Sequence, residues 1–102
     1  MLDNNISSSE ERFLRENQVT TSACRQLADW ALAHFGERTS PSAYQKIIYS
    51  MSVTGPDFAV EKVFNDLTSQ GYAYRREAVM RMYERFRRES QRAYDLKRDL
   101  AA

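Results

Sequence analysis

The sequence contains few of the residues that make tight turns, disulfides and metal sites. Its 102 residues include three Gly, two Pro, one Cys and one His. So few chain breakers leave little room for the many turns of a β-sandwich or barrel. A single Cys excludes an intramolecular disulfide, and one thiol with one imidazole is too few for a zinc or iron site. These absences favour an all-α protein that holds no metal or other cofactor.

Long apolar runs and a large excess of one charge are missing as well. No stretch approaches the roughly 18 apolar residues that a membrane-spanning helix needs. The first eleven residues are polar and acidic, unlike a signal peptide. The formal net charge is +1, so no overall field draws the chain to nucleic acid or to a membrane surface. We therefore expect a cytoplasmic protein that does not bind membranes.

The residues needed for covalent catalysis are also poorly placed. Cys24 and His34 lie ten residues apart on one predicted helix, about 15 Å along its axis, which is too far for a nucleophile and its base. No Gly-rich phosphate loop or G-x-S-x-G elbow occurs in the sequence. We expect Cys24 to be a half-buried packing residue, His34 to be a surface residue near a helix end, and the protein not to be an enzyme.

What the sequence does contain is a repeated helical pattern. Residues 1–7 are predicted to be a disordered tail, followed by a single helical domain over 8–102 with four to five helices. A short helix is expected over 9–17, and Thr20 or Thr21 is expected to begin the next, which ends at Gly36. Ser40-Pro41 begins another helix, residues 54–57 interrupt the chain, and Gly71 ends the helix that follows. The apolar faces of these helices are Leu27, Trp30, Ala31 and Phe35, then Tyr44, Ile47, Ile48 and Met51, and then Val60, Val63, Phe64 and Leu67.

The last segment, residues 72–99, has neither Gly nor Pro and predicts one helix of about 42 Å. Its apolar residues recur in a heptad-like row that Glu89 interrupts. A domain of this size has a radius of gyration near 13 Å, so we expect the helix to project beyond its own core and to pair in a homodimer. The alternative is a helix that bends, frays near Ser90 or folds back. The predicted dimer seam comprises Val79, Met82, Phe86, Ala93 and Leu96.

The same segment is rich in arginine. Eight of its nine basic residues between 75 and 98 are Arg, and only four carboxylates accompany them. Arginine forms two-point pairs with carboxylates and with phosphates, so both an acidic protein and a nucleic acid are compatible partners. A solvated helix face with Glu–Arg pairs is the alternative without function. We expect the arginines to spread around the helix, which makes binding of nucleic acid less favourable than a single stripe would. The neighbouring tyrosines favour a protein interface.

Residues 20–90 have an order of helices and loops that is found in a known family. Leu32-Ala33-His34-Phe35-Gly36-Glu37 gives a helix end and a Gly-Glu turn, and Pro41 opens the next helix. Residues 60–67 form an acidic-flanked helix after Gly55-Pro56-Asp57, and the long Arg-bearing helix follows. This layout resembles the RbcX family of Rubisco assembly chaperones. The resemblance implies a helical homodimer that binds the Rubisco large subunit without nucleotide or metal.

The chain departs from that family where the family binds its peptide. Ser22 and Arg25 stand at positions where the family has tyrosines that line a groove, although Gln26 is retained. The expected function is that of a protein-binding assembly factor or chaperone. The alternative is a small DNA-associated regulator, with a helix-turn-helix variant around Gly71 and phosphate contacts from the terminal helix. A partner protein of a phage, plasmid or secretion system is a third hypothesis. The candidate partner-binding residues are Arg25, Gln26, Arg75, Arg76, Arg81 and Arg85.

Overall fold

A computed structural model describes the backbone of residues 2–36 and 40–101 and the side chains of 9–36 and 40–100. Within these ranges the chain forms four helices and no strand, which confirms the all-α prediction and the long C-terminal helix. Met1 of the predicted tail and Glu37 of the predicted Gly-Glu turn lie outside the described residues. The helices are α1 (Leu2–Phe35), α2 (Pro41–Ser52), α3 (Pro56–Ser69) and α4 (Arg76–Ala101).

Helix α1 is continuous over 34 residues, so the predicted division into two helices near Thr20 is wrong. The segment contains no Gly or Pro. The Thr21 hydroxyl does not cap a new helix but donates to the carbonyl oxygen of Asn17 at 2.7 Å, as mid-helix threonines do. Residues 2–7, predicted as a disordered tail, form the first turns of α1. Gly36 ends the helix with φ +78, as predicted.

The turns around α2 and α3 follow the sequence signals. Ser40 caps α2, its hydroxyl accepting from the Ala43 amide at 3.5 Å, and Pro41 occupies the first turn. Pro56 plays the same part in α3, directly after the break predicted at residues 54–57. Gly71, at φ +90, reverses the chain while the Tyr72 amide donates to the Leu67 carbonyl oxygen at 3.0 Å. These boundaries are therefore confirmed.

Helix α4 begins at Arg76 rather than at Tyr72, because residues 72–75 form an irregular link after Gly71. It runs antiparallel to α1. Tyr74, just before α4, contacts His34 near the end of α1, and Arg98 near the end of α4 contacts Glu11. The last turns of α4 lie beyond the core, as predicted, because no side chain of residues 93–100 is buried. The unbroken α1 accompanies them, with Glu11 beside Arg98.

The core forms where α2 and α3 cover one side of the α1–α4 pair. Tyr44 and Ile48 of α2 are buried as predicted, whereas Ile47 and Met51 remain exposed. The Tyr44 hydroxyl donates to Asp66 of α3 at 2.8 Å, and burial together with this carboxylate raises the pKa of Tyr44 above its ordinary value. The other buried apolar side chains are Val19, Ala23, Cys24, Leu27, Ala28, Ala31, Ala59, Val60, Val63, Leu67, Val79 and Tyr83.

The described chain is elongated. Its extents are 56 × 26 × 23 Å and its radius of gyration is 15.7 Å, against about 13 Å for a compact domain of this length. The long axis follows α1 and α4, since 34 helical residues span about 51 Å and the 12 residues of α2 only about 18 Å. The molecule thus presents long helical faces that α2 and α3 are too short to cover.

Candidate partner-binding surface

Four arginines of α4 share one solvent-exposed face of the helix. Their spacing of four, three and four residues is that of a single helical face, opposite the buried Val79 and Tyr83. We call this set the arginine stripe: Arg81, Arg85, Arg88 and Arg92. The expectation that the arginines spread evenly around the helix is therefore wrong for these four. Among the described residues only Arg85 of the stripe makes an ion pair, to Glu89 at 3.0 Å.

Three other arginines of α4 hold the helix to its neighbours. Arg76 pairs with Glu61 of α3, and the bond and charge of that carboxylate raise the pKa of Arg76. Arg87 pairs with Glu16 of α1 and donates to the Thr20 hydroxyl at 3.2 Å. Arg98 donates to Glu11 at 3.3 Å. The structure thus divides the basic residues of α4 into a set that holds the fold together and a set that faces solvent.

The six predicted partner-binding residues do not form one site. Arg81 and Arg85 lie in the arginine stripe, Arg76 is held against α3, and Arg75 is exposed in the link before α4. Arg25 is exposed on α1, in a shallow groove of about 220 Å³ that α2 lines with Lys46. Arg88 and Arg92 were not among the predicted partner-binding residues, although their spacing from Arg81 in the sequence already places them on the same helical face.

Gln26 belongs to the fold rather than to an open surface. Its side-chain amide donates to the Ser90 hydroxyl at 2.9 Å and to the Ser22 hydroxyl at 3.3 Å, and Ser90 donates to Ser22 at 3.0 Å. Ser90 is buried between α1 and α4. This polar triangle fixes the two helices against each other, so Ser22 and Gln26 both make contacts inside the fold.

The predicted dimer seam is divided by the structure. Val79 is fully buried in the chain's own core, so its assignment to an interface between copies is wrong. Met82 and Phe86 are half-buried and pack against that core. Ala93 and Leu96 are exposed. The physical reason is the position of the core. The first half of the row packs against the core that α1 and α3 share, whereas Ala93 and Leu96 lie in the last turns of α4, where no side chain of residues 93–100 is buried.

An aromatic cluster at the C-terminal end of α1 was not predicted. His34 is half-buried rather than a free surface residue: Trp30, Tyr72 and Tyr74 each contact its ring edge-on, with centroids 4.9–5.4 Å away. Its Nδ1 lies 2.9 Å from the Trp30 carbonyl oxygen, which only accepts, so Nδ1 carries hydrogen. In the neutral ring Nε2 then accepts from the Tyr74 hydroxyl at 3.0 Å. The cluster holds residues 72–74 against α1. Its members come from two distant segments of the sequence, so no local spacing predicts it.

The remaining reactive groups are placed as follows. Cys24 is buried, and burial raises the pKa of its thiol, against a smaller lowering by Ser52 and Arg87. Within residues 2–36 and 40–101 no cluster of three or more His, Cys, Asp or Glu is arranged to hold a metal ion. Over the same ranges, no helix combines the length and the hydropathy that crossing a membrane requires.

The chain was compared with protein families, curated proteins and solved structures. No family model, curated protein or solved structure matches it.

Proposed function

We propose that the chain is a non-enzymatic binding protein that acts as a homodimer and holds another protein for assembly. The arginine stripe binds an acidic surface of that partner. The observation that carries this proposal is the placement of four arginines on one exposed helical face, over about 17 Å of α4. Such a row matches carboxylates spaced along a partner helix or an extended acidic segment.

The free guanidinium groups support a carboxylate-bearing partner. Only Arg85 is paired within the described chain, which leaves Arg81, Arg88 and Arg92 available for two-point contacts. Exposed carboxylates at Glu77 and Glu84 lie on the flank of the same helix. They would repel a continuous phosphate backbone, whereas a protein surface of mixed charge can place its own basic residues against them.

The Rubisco large subunit is the partner to test first. The support is the resemblance to the RbcX family in the order of the helices, together with the long Arg-bearing α4. The contacts would differ from those of the family, because Gln26 and Ser22 are engaged with Ser90 inside the fold. The partner surface we assign lies on the outer face of α4 instead.

A matched pair of charge reversals tests the proposal. Arg88→Glu and Lys46→Glu change the net charge equally, and both residues are exposed. In a pull-down and a titration against Rubisco large subunit, Arg88→Glu should weaken binding at least about tenfold, the usual scale for a lost charge-assisted contact. Lys46→Glu should leave binding nearly unchanged. Equal losses in both variants would show that only net charge matters, and no binding by the unmodified chain would exclude this partner.

The same stripe also supports the second candidate, a nucleic-acid-binding regulator. Arginines in a row on one helical face are a common phosphate-contacting arrangement. The dependence of binding on salt concentration distinguishes the two candidate functions. If Arg81, Arg88 and Arg92 contact the phosphates of a DNA duplex, the logarithm of the binding constant should fall steeply and linearly with the logarithm of salt concentration. A duplex that shows no binding at low salt would dismiss this candidate.

A further inference from the structure

A polar groove follows the outer face of α1 where α4 lies beside it. Its volume is about 350 Å³, and we call it the α1–α4 groove. The side chains that line it are Asn17, Gln18, Thr21, Ser22 and Arg25 of α1 and Lys97 of α4. The shallower groove on the α2 side shares Thr21 and Arg25 with it. Arg25 therefore lies between the two grooves, on the face of α1 that α2 and α4 flank.

The charges of the α1–α4 groove are all positive. Arg25 and Lys97 contribute two cations, and none of the described residues that line the groove is Asp or Glu. Neither cation forms an ion pair with another described residue. Asp29, one turn along α1 from Arg25, accepts instead from a glutamine of α2 at 2.8 Å. Carboxylates do line two other cavities of α1, at Glu10 and Glu16, so the groove beside Lys97 is the one suited to an anion.

The neutral side chains of this groove add hydrogen-bond donors. The Ser22 oxygen accepts from Gln26 at 3.3 Å and from Ser90 at 3.0 Å. Because a serine oxygen has two lone pairs, both are engaged and its own hydrogen remains to be donated. Asn17 accepts the Tyr49 hydroxyl through Oδ1 at 2.9 Å, which leaves its NH₂ group as a donor. The groove thus combines two cations with two neutral donors.

We propose that the α1–α4 groove binds the phosphate group of a small phosphate ester. Arg25 offers the phosphate a two-point contact, Lys97 adds the second positive charge, and Ser22 and Asn17 donate to the remaining oxygens. A phosphate monoester carries a charge of about −1.5 to −2 at pH 7, which two cations balance, whereas a single carboxylate would leave one cation unmatched.

The volume and the position of the groove support a small ligand. Ligand pockets begin at about 300 Å³, so a groove of about 350 Å³ holds a small ester. The site is also separate from the arginine stripe. Lys97 is five residues beyond Arg92, which places the two side chains about 140° apart around α4. This inference therefore goes beyond the proposed partner binding and does not depend on it.

A nuclear magnetic resonance titration of the labelled chain with glycerol 3-phosphate tests the site. Backbone amide signals of residues 17–25 and of Lys97 should shift together, with a dissociation constant of about 1 mM or lower. Arg25→Gln should raise that constant at least about tenfold, and Lys97→Gln should raise it several-fold. Arg12→Gln removes the same charge from another exposed position on α1 and should leave the constant unchanged. The undisturbed spectrum of each free variant checks that it is folded.

Comparison ligands decide whether phosphate is what the groove recognises. Glycerol alone should cause no shifts, and succinate, a dicarboxylate of similar charge, should bind more weakly. Equal affinity for succinate would overturn the assignment to phosphate. A phosphoserine peptide that binds tenfold more tightly than glycerol 3-phosphate would assign the groove to a modified protein and overturn the small-molecule ligand.

The location of the shifts and the matched variant test the site itself. Shifts confined to residues 81–92 would place the phosphate on the arginine stripe, and equal losses in Arg12→Gln and Arg25→Gln would show that only net charge matters. Either result overturns the proposal, as does the absence of saturable shifts up to about 20 mM.

Discussion

Arg15 of α1 and Asp95 of α4 form a two-point ion pair across 80 residues of sequence. Nε and Nη2 of the guanidinium each lie 3.0 Å from a different carboxylate oxygen. The hydrogen bond and the charge of Arg15 lower the pKa of Asp95 below its ordinary value of 3.8, against a smaller opposing effect of desolvation. This pair is the main directed contact between the two helices where no buried side chain joins them.

Acid should loosen this contact. Because the pKa of Asp95 is lower in the folded chain than in the unfolded one, the pair favours the folded state above pH 3.8, and this contribution is lost as the pH falls through the lowered value. Amide exchange around Asp95 measures the effect. Protection in the unmodified chain should exceed that of Asp95→Asn at about pH 6, and the two should converge once the pH falls below the lowered pKa of Asp95. A difference that is independent of pH would contradict the assignment.

Gly71→Ala should destabilise the fold. Gly71 adopts φ +90, where a Cβ is unfavourable, and we expect a loss of about 1 kcal/mol, or roughly 4–8 °C in melting temperature. Gly55→Ala is the matched control, since its φ of 164 is extended backbone and its added Cβ would meet Phe58 at an ordinary 3.6 Å. Thermal unfolding of both variants gives the comparison, and equal losses would argue against the conformational explanation.

A pair of valine truncations should measure the core. Val60 is fully buried, whereas Val53 is 74 % exposed. Val60→Ala should cost about 2 kcal/mol from lost burial and the cavity left behind, and Val53→Ala less than about 0.5 kcal/mol. Urea unfolding at a fixed protein concentration gives both values. A large loss from Val53→Ala would show that this side chain is covered in solution.

The polar triangle between α1 and α4 should contribute to stability and not to partner binding. Ser90→Ala removes a buried hydroxyl that joins Gln26 and Ser22, and we expect a loss of about 1–2 kcal/mol. Ser50→Ala, at an exposed position on α2, should be nearly neutral. Urea unfolding and the binding titration should be run on both. If Ser90→Ala loses partner binding without losing stability, Gln26 is part of the partner-binding surface after all.

Local signals in the sequence predicted most of the fold. Caps and breakers at Ser40, Pro41, Pro56 and Gly71 act within one turn of the chain, so α2 and α3 were predicted nearly at their true bounds. The unbroken α1 was missed because Thr20 and Thr21 are compatible both with a helix start and with a helix interior. The choice depends on tertiary packing around Val19 and Ala23, which are buried.

The surface was harder to predict than the fold. The arginine content of α4 is visible in the sequence, but which arginines are free depends on carboxylates far away along the chain, such as Glu16 for Arg87 and Glu61 for Arg76. The error in the dimer seam has the same origin. Val79 fits a heptad row equally well whether its partner is a second copy or the chain's own core.

The antiparallel course of α1 and α4 also sets an order of folding. Contacts between α2 and α3, such as Tyr44 to Asp66, close a loop of 22 residues, whereas the contact of Glu11 with Arg98 closes one of 87. Closing the longer loop costs more chain entropy, and few buried contacts offset this cost at the end where Glu11 meets Arg98. We expect the helical hairpin of α2 and α3 to form early, with the distant ends of α1 and α4 joining last and separating first.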